Sequence, residues 1–204
     1  MICLVPPDSR CNSTDCEANL LGPPAWGTAL FFQQVHIAQV KGWPLVDYLA
    51  LIPLLTVVGV ATTVASGQFI DRFGTAPLAR LYLIPFALTF LIVGAAETLP
   101  IAALGLAICG IGSGIQATLP AAFWSEYFGT AHIGAIKALS TSIMVFGSAI
   151  GPGITGALID LGYDFPDQML AIAGYFVAAS ALAWLAVARA EAALSASKVD
   201  VKGA

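Results

Sequence analysis

The side chains in this chain best suited to holding a small solute lie inside apolar runs. Gln33, Gln34 and His36 occur in "GTALFFQQVHIAQVKGW", and Gln33 and His36, three positions apart, share a face if that run is helical. Ser113 and Gln116 have the same spacing in a second run. An amide donates and accepts hydrogen bonds, and an imidazole does both and changes charge within the physiological range. Polar groups are expensive in an apolar span and mark solute paths. Gln33, His36 and Gln116 are therefore the candidate solute-binding residues, with helix-to-helix hydrogen bonding as the alternative use of each. Thr56, Thr62, Thr63, Ser140, Thr141 and Ser142 are weaker candidates, because a hydroxyl can bond its own helix backbone. No acid or base falls at the middle of an apolar run. A counter-charge for an ionic solute would have to come from a partner.

Charge gathers instead in short breaks such as "GQFIDRFGTAPLAR". There Gly67 would admit a close helix, and Gly74 would permit a turn with positive φ. Asp71 could accept from a helix N-terminus, and Arg72 and Arg80 could meet acids or lipid phosphates. A solvated loop is the plainer alternative. In "GSAIGPGITG", Gly147, Gly151 and Gly156 allow backbone-to-backbone packing, and Pro152 removes one helix hydrogen bond. The stretch is either a bending point or a tightly packed helix. "CGIGSGIQ" is no dinucleotide loop, because no strand precedes it. Nor is Ser113 placed as an intramembrane protease nucleophile, since Ile111 stands where that motif needs glycine. Cys3, Cys11 and Cys16 lack a fourth ligand and the spacing of a zinc site. No metal or cofactor is expected. "NST" at Asn12 reads as a chance match to a glycosylation pattern.

The elements that must position these residues follow from composition. Of 204 residues, 58% are hydrophobic and 10% charged, against about 25% charged in an ordinary soluble domain. So few charges cannot cover a water-facing surface, and a multi-pass membrane protein is expected. Scattered bases exclude a nucleic-acid footprint. Six apolar runs are long enough to cross a bilayer, near residues 24–41, 48–70, 76–96, 99–123, 133–159 and 167–189. Residues 1–20 read as a polar tail, 21–190 as a six-helix bundle and 191–204 as a loose cytoplasmic tail. With the N-terminus on one side, seven of the eight Lys and Arg fall on that side and Lys41 on the other. Both termini are then expected in the cytoplasm, in the cell (inner) membrane. Trp26, Trp43, Tyr48, Tyr82, Trp124, Tyr127 and Tyr163 fall near run ends, as an interfacial belt requires, and Trp184 does not. G-x-x-I-D recurs at Gly67–Asp71 and Gly156–Asp160, 89 positions apart and at opposite ends of the bundle. Two inverted three-helix repeats would produce this.

"GQFIDRFG" between the second and third runs resembles the loop signature of the major facilitator superfamily. "GTALFFQQVHIAQVKGW" looks like that family's helix seven, and "FWSEYFGTAHIGAIKALSTSIMVFGSAIGPGITGALID" like its helices ten and eleven. The resemblance runs from about Leu21 to Arg189 and reaches only the family's C-terminal half. It implies an all-α fold and alternating-access transport of a small solute, an organic anion being the family-level guess. It places Gln33, His36 and Gln116 on cavity-lining helices. Gly67, Asp71, Arg72 and Gly74 fall in a gating loop, and Gly147, Gly151, Pro152 and Gly156 at a bending helix. The chain is then expected either to pair with a second six-helix half, or with its own copy, or to be a truncated product. The unfamiliar first 20 residues favour truncation. The alternative is a membrane interaction subunit that pairs with another bundle without transporting.

Overall fold

The computed structural model describes the backbone of residues 13–128 and 133–203, and the side chains of 21–126, 133–135 and 137–185. The three tail cysteines, Asn12, Tyr127 and His132 lie outside these backbone or side-chain ranges. All regular structure among the described residues is helical: α1 (Ser13–Phe32), α2 (Gln34–Lys41), α3 (Leu45–Leu49), α4 (Ile52–Phe73), α5 (Ala76–Leu81), α6 (Ile84–Ala95), α7 (Leu99–Phe128), α8 (Ile133–Asp160) and α9 (Phe165–Gly203).

Among the described residues, five stretches are long and apolar enough to cross a membrane: Leu45–Phe73, Ala76–Ala95, Leu99–Glu126, Ile133–Asp160 and Phe165–Leu185. They match the last five runs read from sequence to within a few residues at each boundary. The first run is helical but is not among them. Its apolar part stops at Gln33, and Gln34, His36, Gln39 and Lys41 follow. Gln33 alone separates α1 from α2 (φ −91°, ψ 14°), and its backbone still bonds helix-fashion to Ala29 and Ile37. The C-terminal segment also differs from expectation: α9 stays helical to Gly203 instead of giving way to a loose tail.

α4 and α8 are each closed off by a positive-φ glycine, Gly74 (79°) and Gly162 (91°), a conformation that other residues rarely adopt. α4 lies along α7, α7 along α6, α6 along α9, α9 against α1, and α1 along α8. The helices thus form an arc with α4 and α8 at its ends, where burial is least. At its centre Phe86 and Phe90 of α6 stack on Phe176 of α9, with centroids 5.5 and 5.6 Å apart, and all three are buried.

Two crossings are close enough to require glycine. A Cβ on Gly110 of α7 would lie 2.5 Å from the Leu55 carbonyl oxygen and 3.0 Å from Val58 Cβ. One on Gly114 would lie 2.6 Å from the Gly59 oxygen and 2.7 Å from Thr62 Cβ. At the other crossing, a Cβ on Gly147 of α8 would meet Leu21 of α1 at 3.0 Å, and one on Gly151 would collide with the Ala25 carbonyl. The "CGIGSGIQ" glycines are thus packing residues. Of the aromatic residues read as interfacial, Tyr48, Tyr82 and Trp124 are buried in the bundle. Trp184 is exposed instead, with the Arg80 guanidinium 5.6 Å from its ring centroid.

Candidate functional site

Cross-helix polar contacts gather at the two faces of the bundle where the helices end. Where α2 ends, Lys41 Nζ donates to the Gly94 carbonyl at 2.6 Å, and Trp43 Nε1 to the Glu97 carbonyl at 3.4 Å. These bonds tie the α2–α3 turn to the α6–α7 turn. At the same end His36 Nε2 lies 3.2 Å from Asp164 Oδ1 in the α8–α9 turn. The approach is not aligned as a hydrogen bond, and Nε2 is buried.

One step further in, Gln33 Nε2 donates to Thr155 Oγ1 at 3.3 Å, joining the α1–α2 junction to α8. The Thr155 hydroxyl can also donate to the carbonyls of Gly151 and Pro152, both at 3.1 Å. Gln168 of α9 donates to the Tyr163 and Thr155 carbonyls at 2.8 and 3.3 Å. Its amide is buried, and Oε1 has no hydrogen-bond partner among the described residues. Gln33, Thr155 and Gln168 thus link α1, α8 and α9 through one polar patch.

The opposite end is held by a carboxylate. Glu126, near the end of α7, accepts from Thr75 Oγ1 at 2.7 Å and from Thr75 N at 3.3 Å, which satisfies a donor at the start of α5. Sequence reasoning assigned a role of this kind to Asp71. Asp71 and Arg72 are instead exposed at the end of α4. Between the ends, the Ser66 hydroxyl of α4 pairs with that of Thr118 on α7 at 2.8 Å.

Of the solute-binding candidates, Gln33 and His36 sit at and just beyond the α1–α2 junction, each in contact with the α8–α9 region. Gln116 is half-buried on α7, and no hydrogen bond joins it to Gln33 or His36. Thr56, Thr63 and Ser142 bond carbonyls of their own helices at 3.2, 2.9 and 2.9 Å, the use of a hydroxyl that had weakened them as ligands. Nothing lies within 4 Å of the position a Cβ would take on Gly67, so no described helix approaches it closely. A Cβ on Gly156 would lie 3.7 Å from Gln33 Nε2, and Pro152 lies inside the continuous helix α8, three residues before Thr155.

Sequence reading missed Thr155, Gln168, Asp164 and Glu126. Asp164 and Glu126 were legible only as charges near turns. Their partners are between 51 and 128 positions away, and no local pattern connects them. Compared with known protein families, curated proteins and solved structures, the chain matches none.

Proposed function

We propose that the chain is a six-span bundle of two inverted three-helix repeats, acting as one half of a secondary transporter of the major facilitator type. The observation that carries this reading is a shared register. Adding 89 to Leu21 and Ala25 gives Gly110 and Gly114, and adding 89 to Val58 and Thr62 gives Gly147 and Gly151. Val58 and Thr62 face Gly110 and Gly114 at one close crossing, and Leu21 and Ala25 face Gly147 and Gly151 at the other. The offset of the G-x-x-I-D motif therefore carries one crossing onto the other, position for position, with the glycines on the opposite partner in each. It also carries Ser66 onto Thr155, and each hydroxyl bonds to the neighbouring helix of the arc.

This register supports α1–α2 as the first span. It runs beside α8 from Gly147, through Thr155, to the turn at Asp164. Inverted repeats place solute near mid-membrane, where one bundle rocks against another. Gln33 and Gln116, with His36 nearer one end, are the side chains we assign to a small solute, an organic anion by family resemblance. The exposed faces of α4 and α8, including the open space beside Gly67, are where a second six-helix bundle or a second copy would pack. The distribution of Lys and Arg orients both termini to the cytoplasm of a cell membrane. The end carrying Asp164 is then outside and the end carrying Glu126 inside.

Affinity purification of the full chain from membranes in mild detergent tests the pairing. A second six-helix bundle or a second copy is the expected companion, and a companion without a transporter-like helical bundle would contradict the reading. In proteoliposomes holding the paired protein, Gln33→Leu and His36→Ala should each lower uptake about tenfold, roughly the effect of one lost buried polar contact. Thr56→Ala should leave uptake within about twofold, since an exposed hydroxyl bonded to its own helix contributes little.

A further inference from the structure

Gln33 and Gln168 both donate to Thr155 of α8, and the bonds around it fix which way each amide faces. Gln168 is 8% exposed, and its Nε2 has two carbonyl oxygens before it, those of Tyr163 and Thr155. A carbonyl pairs only with a donor, so this amide cannot be reversed and Oε1 is the atom left over. That oxygen is buried and accepts no hydrogen bond among the described residues. Thr155 is itself buried, and its hydroxyl hydrogen is committed to the Gly151 or Pro152 carbonyl. Its Oγ1 therefore turns a lone pair to Gln33, which answers with Nε2. Reversing the Gln33 amide would set oxygen against oxygen unless the hydroxyl gave up its own helix. Gln33 Oε1 is thus turned away from Thr155, and no described residue donates to it.

These three side chains carry five polar hydrogens, of which four are in use, while neither amide oxygen accepts a bond. The patch is short of donors and has acceptors to spare, and an unmet acceptor away from water is costly. Charge at the same end of the bundle acts in the same sense. Asp160, Asp164 and Asp167 are exposed there, and the ammonium of Lys41 is engaged by the Gly94 carbonyl. An anionic group beside Gln33 is disfavoured and a hydrogen-bond donor is favoured.

We infer that the solute presents an N–H or O–H donor to Gln33 Oε1, so that an organic anion taken here is a hydroxy acid or an amino acid with its carboxylate turned from this end. The inference rests on the reading of Gln33 as a solute-binding residue. Gln33 is half-buried, and Gly156 beside it carries no side chain to cover the amide. No acid or base falls at the middle of a span in this chain, so the carboxylate is left to the partner bundle. Thr155 is a positioning residue, which sets the atom that Gln33 offers.

Glycolate and glycine each differ from acetate by one donor group. Each of the three is titrated into the full chain in nanodiscs while the side-chain carbonyl carbon of Gln33 is followed by NMR, its resonance assigned by its loss in Gln33→Leu. Glycolate and glycine should each bind about fivefold to tenfold more tightly than acetate, the effect of about one net hydrogen bond. Thr155→Val frees the Gln33 amide to reverse and should bring both ratios below about twofold. Thr155→Ser keeps the hydroxyl and should restore them. A merely structural Thr155 would move all three affinities together and leave the ratios unchanged. Acetate bound as tightly as the other two, no binding by any of the three, or unchanged ratios in Thr155→Val would each overturn the inference. These readouts need no transport. The expected ratios in a paired protein without uptake would count against the transporter reading alone, and uptake that does not discriminate among the three would count against the inference alone.

Discussion

Gly151→Val should prevent the bundle from packing, while Gly153→Val, two residues along the same helix, should be tolerated. A Cβ on Gly151 would enter the Ala25 carbonyl, and backbone cannot swing aside as the tip of a side chain can. Relief would require α1 to move off α8 along the closest crossing in that part of the arc. Overpacking commonly costs about 1–3 kcal/mol, and a backbone-to-backbone site belongs at about the upper end of that range or beyond. Gly153 has nothing within 4 Å, so valine there should change stability by no more than about 0.5 kcal/mol. Gly114→Val should resemble Gly151→Val, because the Gly59 oxygen and Thr62 Cβ lie at 2.6 and 2.7 Å. Thermal midpoints and monodispersity of the purified variants in detergent measure the differences. Equal behaviour of Gly151→Val and Gly153→Val would show that α1 and α8 do not cross there.

The second large effect concerns the surroundings of α4. Val57, Val60 and Val64 are 67%, 62% and 58% exposed in the isolated chain. In water such a valine would tolerate arginine with a change of about 0.5 kcal/mol or less. In the hydrocarbon core an arginine at the helix centre costs about 2.5–3.5 kcal/mol on insertion scales. Val60→Arg in the segment 45–73 should therefore lower its insertion equilibrium in a microsomal assay by roughly fiftyfold or more. Val60→Leu should leave insertion unchanged. Equal insertion of the arginine and leucine variants would contradict a lipid-spanning α4.

The two predictions rest on features that the sequence reveals to different degrees. Apolar run length found Ala76–Ala95 and Ile133–Asp160 almost to the residue, because a span needs length and little else. The first run was harder to read. Gln33, Gln34 and His36 marked it as chemically interesting, and with Gln39 and Lys41 they cut short its apolar part at the α1–α2 junction. Gly151 and Gly67 show the limit of local reading. Each is a glycine in an apolar helix, yet Gly151 meets a backbone carbonyl and Gly67 meets nothing within 4 Å. Which glycine is essential depends on the helix opposite, and the sequence around it carries no trace of that helix. The same holds for Glu126, whose carboxylate serves a helix start 51 positions earlier. The repeat offset was visible only as a short motif. The two helix crossings on which the proposed repeat rests could be compared only once facing residues were paired.

The proposed inverted repeats would put Asp71 and Asp160, 89 positions apart, on opposite faces of the membrane. Single cysteines at these two exposed positions, in a chain whose own cysteines are replaced, can be labelled with a membrane-impermeant maleimide in intact cells and then in inverted vesicles. The expected result is labelling of position 160 only from outside and of position 71 only from the cytoplasm. Labelling of both positions from the same face would contradict the inverted repeat, and with it the proposal that this bundle is half of an alternating-access transporter.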